Sequence, residues 1–166
     1  MSNDIAKILT AHDNTVHATA SGTKMHAALA KIKISDNHTI GDNALIEKIK
    51  ENPELAQMFC FDSAPEVPIA GNINGRFVSR RIDRLYINHD TKTVYILDYK
   101  TDTTKDTFYE QYKIQLNEYA NLMRQIYPAY TVKLYLNYKL YIYKIQLVFN
   151  KNLHFWIKKA IIDSLY

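Results

Sequence analysis

The sequence predicts an α/β fold in which a mixed central sheet is flanked by helices. Three observations point to it. Apolar residues at helical spacing dominate before Pro65, and short strand-like runs separated by tight turns come after it. A long amphipathic helical stretch then precedes a return of strand-like sequence. The run TVYILDY is apolar at Val94, Tyr95, Ile96 and Leu97, which marks a central strand covered on both sides.

The elements follow in order. Over residues 23–34, Met25, Ala28, Leu29 and Ile32 recur at helical spacing, with Ser21 or Thr23 available as a cap and His26 in the first turns. A second helix is expected over residues 43–50, and ENPE breaks the chain before ELAQMFCF. Strands are expected over residues 66–70, 76–87 and 93–99, separated by the turn sequences GNING and NHDTKT. Connections this short favour an antiparallel meander.

Residues 107–126 should form a helix of about five turns, with Phe108, Tyr112, Leu116, Tyr119, Met123 and Ile126 as its apolar stripe and Pro128 ending it. Strands are expected again over residues 131–136 and 140–149, and LHFWIKKAIIDSLY has the periodicity of a closing helix.

A length of 166 residues and 47% hydrophobic composition suit one domain with its own core, so residues 1–166 are read as a single domain. No apolar run approaches a membrane span, and the N-terminus carries no secretory apolar region, which points to a soluble, cytoplasmic protein, nucleoid-associated if bacterial. The one cysteine, Cys60, excludes a disulfide framework, a four-thiolate zinc site and a cysteine-ligated iron–sulfur cluster within the chain. It is read as an inert buried thiol between Phe59 and Phe61. A net charge of +4 and a pI near 9.0 lean towards a polyanionic partner, and Arg76, Arg80, Arg81 and Arg84 crowd together. The thirteen tyrosines, several of them in YTVKLYLNYKLYIYKIQLVF, are explained chiefly by a half-buried sheet.

The chemistry concentrates in ILDYKTD. Side chains two apart on a strand share a face, so Asp98 and Lys100 project together while Tyr99 points away. A charged pair ending an apolar strand must meet water, a partner or a metal. The preceding strand brings back Asp83 from RRIDRL, and two neighbouring carboxylates call for a compensating cation. A hard divalent ion such as Mg2+ fits an oxygen shell of carboxylates, a backbone carbonyl and water, with Glu66 as a further ligand. Phosphodiester hydrolysis is the reaction such a site suggests, Lys100 steadying water and transition-state oxygens.

These blocks, in their order, resemble the PD-(D/E)xK nuclease superfamily, and within it the C-terminal nuclease domain of RecB and AddA type helicase-nucleases. GTKMHAAL looks like the family's helix with an active-site histidine, which places that role on His26. PEVPI maps an acid onto Glu66, RRIDRLYI a metal ligand onto Asp83, and ILDYKTD a ligand onto Asp98, a carbonyl ligand onto Tyr99 and the catalytic cation onto Lys100. YKIQLNEYA resembles the helix with the family's Q-x-x-x-Y pair, here Gln115 and Tyr119.

The resemblance spans about residues 22–136. It implies a restriction-endonuclease-like sheet and a DNA nuclease, exonuclease or endonuclease, of repair or recombination, using Mg2+ with Mn2+ as a substitute. The alternative is a catalytically silent or partner-dependent nucleic-acid-binding module. Where the family commonly has a glycine before its Ile-Asp pair, this chain has Arg80 and Arg81. No phosphate-binding G-x-x-x-x-G-K-[ST] sequence is present, so no ATP site is assigned. DNA is the expected partner, together with a separate helicase or repair subunit. Arg76–Arg84, Lys105 and Lys113 are candidate phosphate contacts.

Overall fold

The computed structural model describes residues 22–100, 109–138 and 141–145. Helix α1 covers residues 22–31 and is followed by a small hairpin, β1 (Lys33–Ile34) with β2 (Thr39–Ile40). Helices α2 (Asn43–Lys50) and α3 (Pro53–Ala56) come next, α3 running into a short 3-10 turn, Gln57–Phe59. The main sheet is built from β3 (Ala64–Ile73), β4 (Arg76–Asn88), β5 (Thr93–Lys100), β6 (Thr131–Tyr138) and β7 (Tyr141–Ile145). Helix α4 (Tyr109–Ile126) joins β5 to β6.

Strand order is β3-β4-β5-β6-β7, with β5 and β6 parallel and every other neighbouring pair antiparallel. The meander and the mixed sheet expected from sequence are both present. The hairpin of β3 and β4 closes on a two-residue turn, Asn74 and Gly75, both at positive φ (51° and 80°). Glycine meets that demand without steric cost.

Strand β5 sits between two apolar layers, as its two-faced sequence suggested. Val94 and Ile96 pack with Val78, Ile82, Leu116, Ala120 and Met123, under α4. Tyr95, Leu97 and Tyr99 pack with Leu29, Ile32, Ile46, Ile49 and Phe59 of the N-terminal half. The tyrosine-rich run serves this second layer: Tyr135 is fully buried, stacks on Tyr95 at 6.3 Å and donates to Glu54 Oε1 at 2.5 Å.

Capping fixes the helix starts. Asp42 accepts from Leu45 N at 3.0 Å to begin α2, and Asn52 accepts from Leu55 N at 3.1 Å to begin α3, where Pro53 supplies a preset φ.

Three expectations are corrected. The first helix ends at residue 31 rather than 34, because Ile32 N turns back to Leu29 O and Lys33 and Ile34 pair with Ile40 and Thr39. Strand β3 starts earlier and ends later than residues 66–70, its whole length being paired to β4 apart from Glu66. Cys60 is half-buried rather than buried, between a fully buried Phe59 and a largely exposed Phe61. The start of the helix over 107–126, most of the strand over 140–149 and the closing helix lie partly or wholly outside the described residues. No helix among the described residues is long and apolar enough to cross a membrane.

Candidate metal centre

The site forms where β4 loses its alternation. Ile82 and Leu85, three residues apart, both face α4, while Arg84 between them faces the other layer. Regular pleating would not allow this, and the break falls at Asp83. Across from it Glu66 drops out of the register between Pro65↔Arg84 and Val67↔Ile82 and takes a left-handed φ of 54°. Such backbone conformations in a non-glycine residue concentrate at functional sites.

The last main-chain pair between β4 and β5 is Arg84↔Leu97. Beyond it the side chain of Asp83 replaces the missing strand partner, its Oδ2 accepting from Tyr99 N at 2.7 Å. Asp83 thus stands between the two faces of the sheet. On the side of α1, His26 Nδ1 lies 3.8 Å from its Oδ1, and the His26 ring meets the Tyr99 ring edge-on at 5.4 Å. Ligand atoms of His26, Glu66 and Asp83 all fall within 4.8 Å of one another, a cluster able to chelate a divalent ion.

On the side of α4, Asp98 is 2% exposed and its Oδ2 lies 2.7 Å from Lys100 Nζ. That contact is a buried, charge-assisted pair, and the other oxygen of Asp98 lies 3.5 Å from Tyr119 OH. A buried carboxylate needs a compensating cation, and Lys100 supplies one. Lys100 also donates to Gln115 Oε1 at 3.1 Å and sits 4.5 Å above the Tyr112 ring. Gln115 Nε2 donates to Tyr119 OH at 2.6 Å, and Tyr119 donates to Arg81 O at 2.7 Å. One helical turn separates Gln115 from Tyr119, and the chain of bonds fixes which end of the Gln115 amide meets the lysine.

The electrostatics are those of carboxylates buried close together, with Lys100 as the neighbouring cation. Burial, reinforced by the Asp98 charge, pushes the Asp83 carboxyl up to about 7, against the pull of the Tyr99 amide and Lys100. Burial also raises Asp98, opposed by Lys100. Burial and the Asp98 charge push the Tyr119 hydroxyl well above its usual range.

The sequence-derived residues therefore fall into two groups. His26, Glu66 and Asp83 form the chelating cluster, while Asp98, Lys100, Gln115 and Tyr119 form a connected polar group on the α4 face. Asp98 lies outside the tightest cluster, although its charge acts on Asp83. Tyr99 adds an amide that holds Asp83, which a reading of side chains missed.

The arginine cluster divides too. Arg84 is wholly buried, so it is not a phosphate contact. Arg76 and Arg80 both pair with the buried Glu118, the Arg80 contact at 2.7 Å, and Arg81 lies 3.2 Å from Glu66 Oε2. Lys113 is half-buried on α4, and Lys105 lies outside the described residues. Tyr112 was read from sequence only as part of the apolar stripe, and Glu118 was not singled out. Their spacing on α4 from Gln115, three residues to either side, was the signal available.

The donor set of one imidazole and several carboxylates suits Mg2+ or Mn2+, the nitrogen favouring manganese. No protein-family model matches this chain, and no curated protein matches it either. Its fold and site are a mixed α/β sheet flanked by helices with a His/Glu/Asp cluster able to hold a divalent ion, features compatible with a PD-(D/E)xK-like superfamily.

Proposed function

We propose that the chain is a metal-dependent deoxyribonuclease of PD-(D/E)xK type with a restriction-endonuclease-like fold, similar to the nuclease domains of RecB and AddA type enzymes and acting in DNA repair or recombination. The observation that carries this reading is a chelating cluster, His26, Glu66 and Asp83, beside a buried carboxylate, Asp98, paired to Lys100.

In this reading His26, Glu66, Asp83, Asp98 and the Tyr99 carbonyl hold Mg2+ or Mn2+. Such a cation, when bound, offsets charge on a phosphodiester and lowers the pKa of the water it carries. Lys100 supplies a fixed positive charge for the attacking water and the transition-state oxygens, because Asp98 and Gln115 hold its ammonium in place. Gln115 and Tyr119 keep that lysine and Asp98 in register. The chain functions as one domain over residues 1–166, with DNA as substrate and a separate helicase or repair subunit as partner.

The test is cleavage of labelled linear and circular DNA with magnesium, manganese or a chelator, by the parent and by Lys100→Ala and Asp98→Ala. Metal-dependent cutting lost in both variants supports the reading, and cutting of circles identifies endonuclease action. A folded parent that binds DNA but cuts under no metal condition moves the assignment to a binding or assembly module.

A further inference from the structure

Arg84 is the largest fully buried side chain, and among the described residues no carboxylate forms an ion pair with it. A buried guanidinium needs both hydrogen bonds and negative charge. Its Nε donates to Tyr99 OH at 2.9 Å and its NH1 to Ser63 Oγ at 2.8 Å. Its NH2 donates to Leu29 O at 2.6 Å and Ala30 O at 3.2 Å, and its plane lies 4.2 Å from the Phe59 ring centre.

The two carbonyls identify the missing counter-charge. Leu29 and Ala30 lie in the last turn of α1, where carbonyls lack the regular i+4 donors and the helix dipole is negative, although Leu29 O also accepts from Ile32 N at 3.2 Å. Arg84 therefore caps α1 from the neighbouring sheet. His26 precedes Leu29 and Ala30 by three and four residues, so the pinned turn is the one stacked on the histidine.

We propose that Arg84 is a positioning residue for the metal centre: β4 aims Asp83 at the ion and, through the adjacent Arg84, anchors the helix that presents His26. One dipeptide then sets the spacing between two ligands on different elements. Tyr99 closes the loop, its amide on Asp83, its hydroxyl on Arg84 and its ring against His26. The inference rests on the metal reading above and deepens it.

The experiment compares the parent, Arg84→Met, His26→Ala and the double variant. Mn2+ affinity is read by EPR titration, imidazole ligation by nitrogen coupling in pulsed EPR, and the His26 ring by NMR of the metal-free chain. Arg84→Met is expected to weaken Mn2+ about tenfold, the range for supporting residues around a metal, to erase the nitrogen coupling and to shift the His26 resonances. The double variant should bind no more weakly than His26→Ala, since both changes remove the same contact.

A folded Arg84→Met with affinity and coupling intact, or losses that multiply in the double variant, overturns the inference. If Arg84→Met does not fold, Ser63→Ala combined with Tyr99→Phe removes two of the anchors, and unchanged coupling and His26 resonances there overturn it as well. A parent that binds Mn2+ without nitrogen coupling defeats the inference alone. A parent that binds no Mn2+ defeats the metal reading, and the metal-free His26 resonances then decide whether Arg84 positions the ring.

Discussion

The two faces of β5 begin alike and end differently. Towards α4 the strand presents Val94 and Ile96, then Asp98 and Lys100, while towards α1 to α3 it presents Tyr95, Leu97 and Tyr99. Both faces are apolar for their first half, and the charge appears on only one of them, near the strand's end. The α1 side contributes to the site in another way, through main chain and aromatic packing that hold Asp83 and His26. One face carries the strand's buried charge and the other carries packing that places Asp83 and His26.

Breaking the charged face should have the largest effect. Lys100→Ala is expected to lower DNA cleavage by about 10²–10³-fold, the usual consequence of removing one fixed charge from a transition state. Tm should fall as well, because the buried Asp98 loses its cation, so cleavage is compared at a temperature where both chains are folded. Cleavage retained by the folded variant would make Lys100 a structural residue.

The apolar halves should be interchangeable in stability. Ile96→Ala and Leu97→Ala, each fully buried on opposite faces, are each expected to cost about 2–5 kcal/mol in denaturant unfolding. A large difference between them would mean that one layer, not both, carries the fold.

Metal should stabilise the site unequally with pH. Burial and the Asp98 charge push the Asp83 carboxyl up to about 7 in the folded chain, against an ordinary value of about 3.8. The folded state therefore binds the extra proton, and the stabilisation this gives the metal-free protein fades as pH rises from about 4 to about 7. A cation needs the carboxylate ionised, so its effect grows over the same interval. Saturating Mg2+, near 100 times its Kd, is expected to add about 2.7 kcal/mol, with a larger Tm shift at pH 8 than at pH 6. Equal shifts at both pH values would remove Asp83 from the ligands.

The smallest expected effect lies in the supporting layer. Asp42→Ala removes the cap of α2 and should cost about 1 kcal/mol, with metal-saturated cleavage unchanged. A drop in cleavage would show that the α2 layer governs the site more directly than packing requires.

Much of the sheet was legible because its signals are local. Asn74-Gly75 specifies a tight turn, alternating runs specify strands, and Pro128 ends α4. The end of α1 was misread because Ile32 falls at helical spacing yet is buried from a turn, and hairpin pairing at Lys33 and Ile34 outcompetes further helix. The site was legible as a set of residue types at strand spacing, and its division into a chelating cluster and a lysine-centred group was not. Glu66's left-handed backbone and the break in β4 come from strand pairing, which no local propensity encodes.

By itself the sequence determined which strand lies in the middle, that Asp98 and Lys100 share a face, and that Gln115 and Tyr119 stand one turn apart. Only the tertiary structure decided that Arg84 is interior while Arg81, three residues earlier, is largely exposed. Arginine is polar by composition, and it is burial against carbonyls 54 and 55 residues away that makes it part of the core. Local chemistry sets which groups a segment offers, and long-range packing selects the partners that make burying them tolerable.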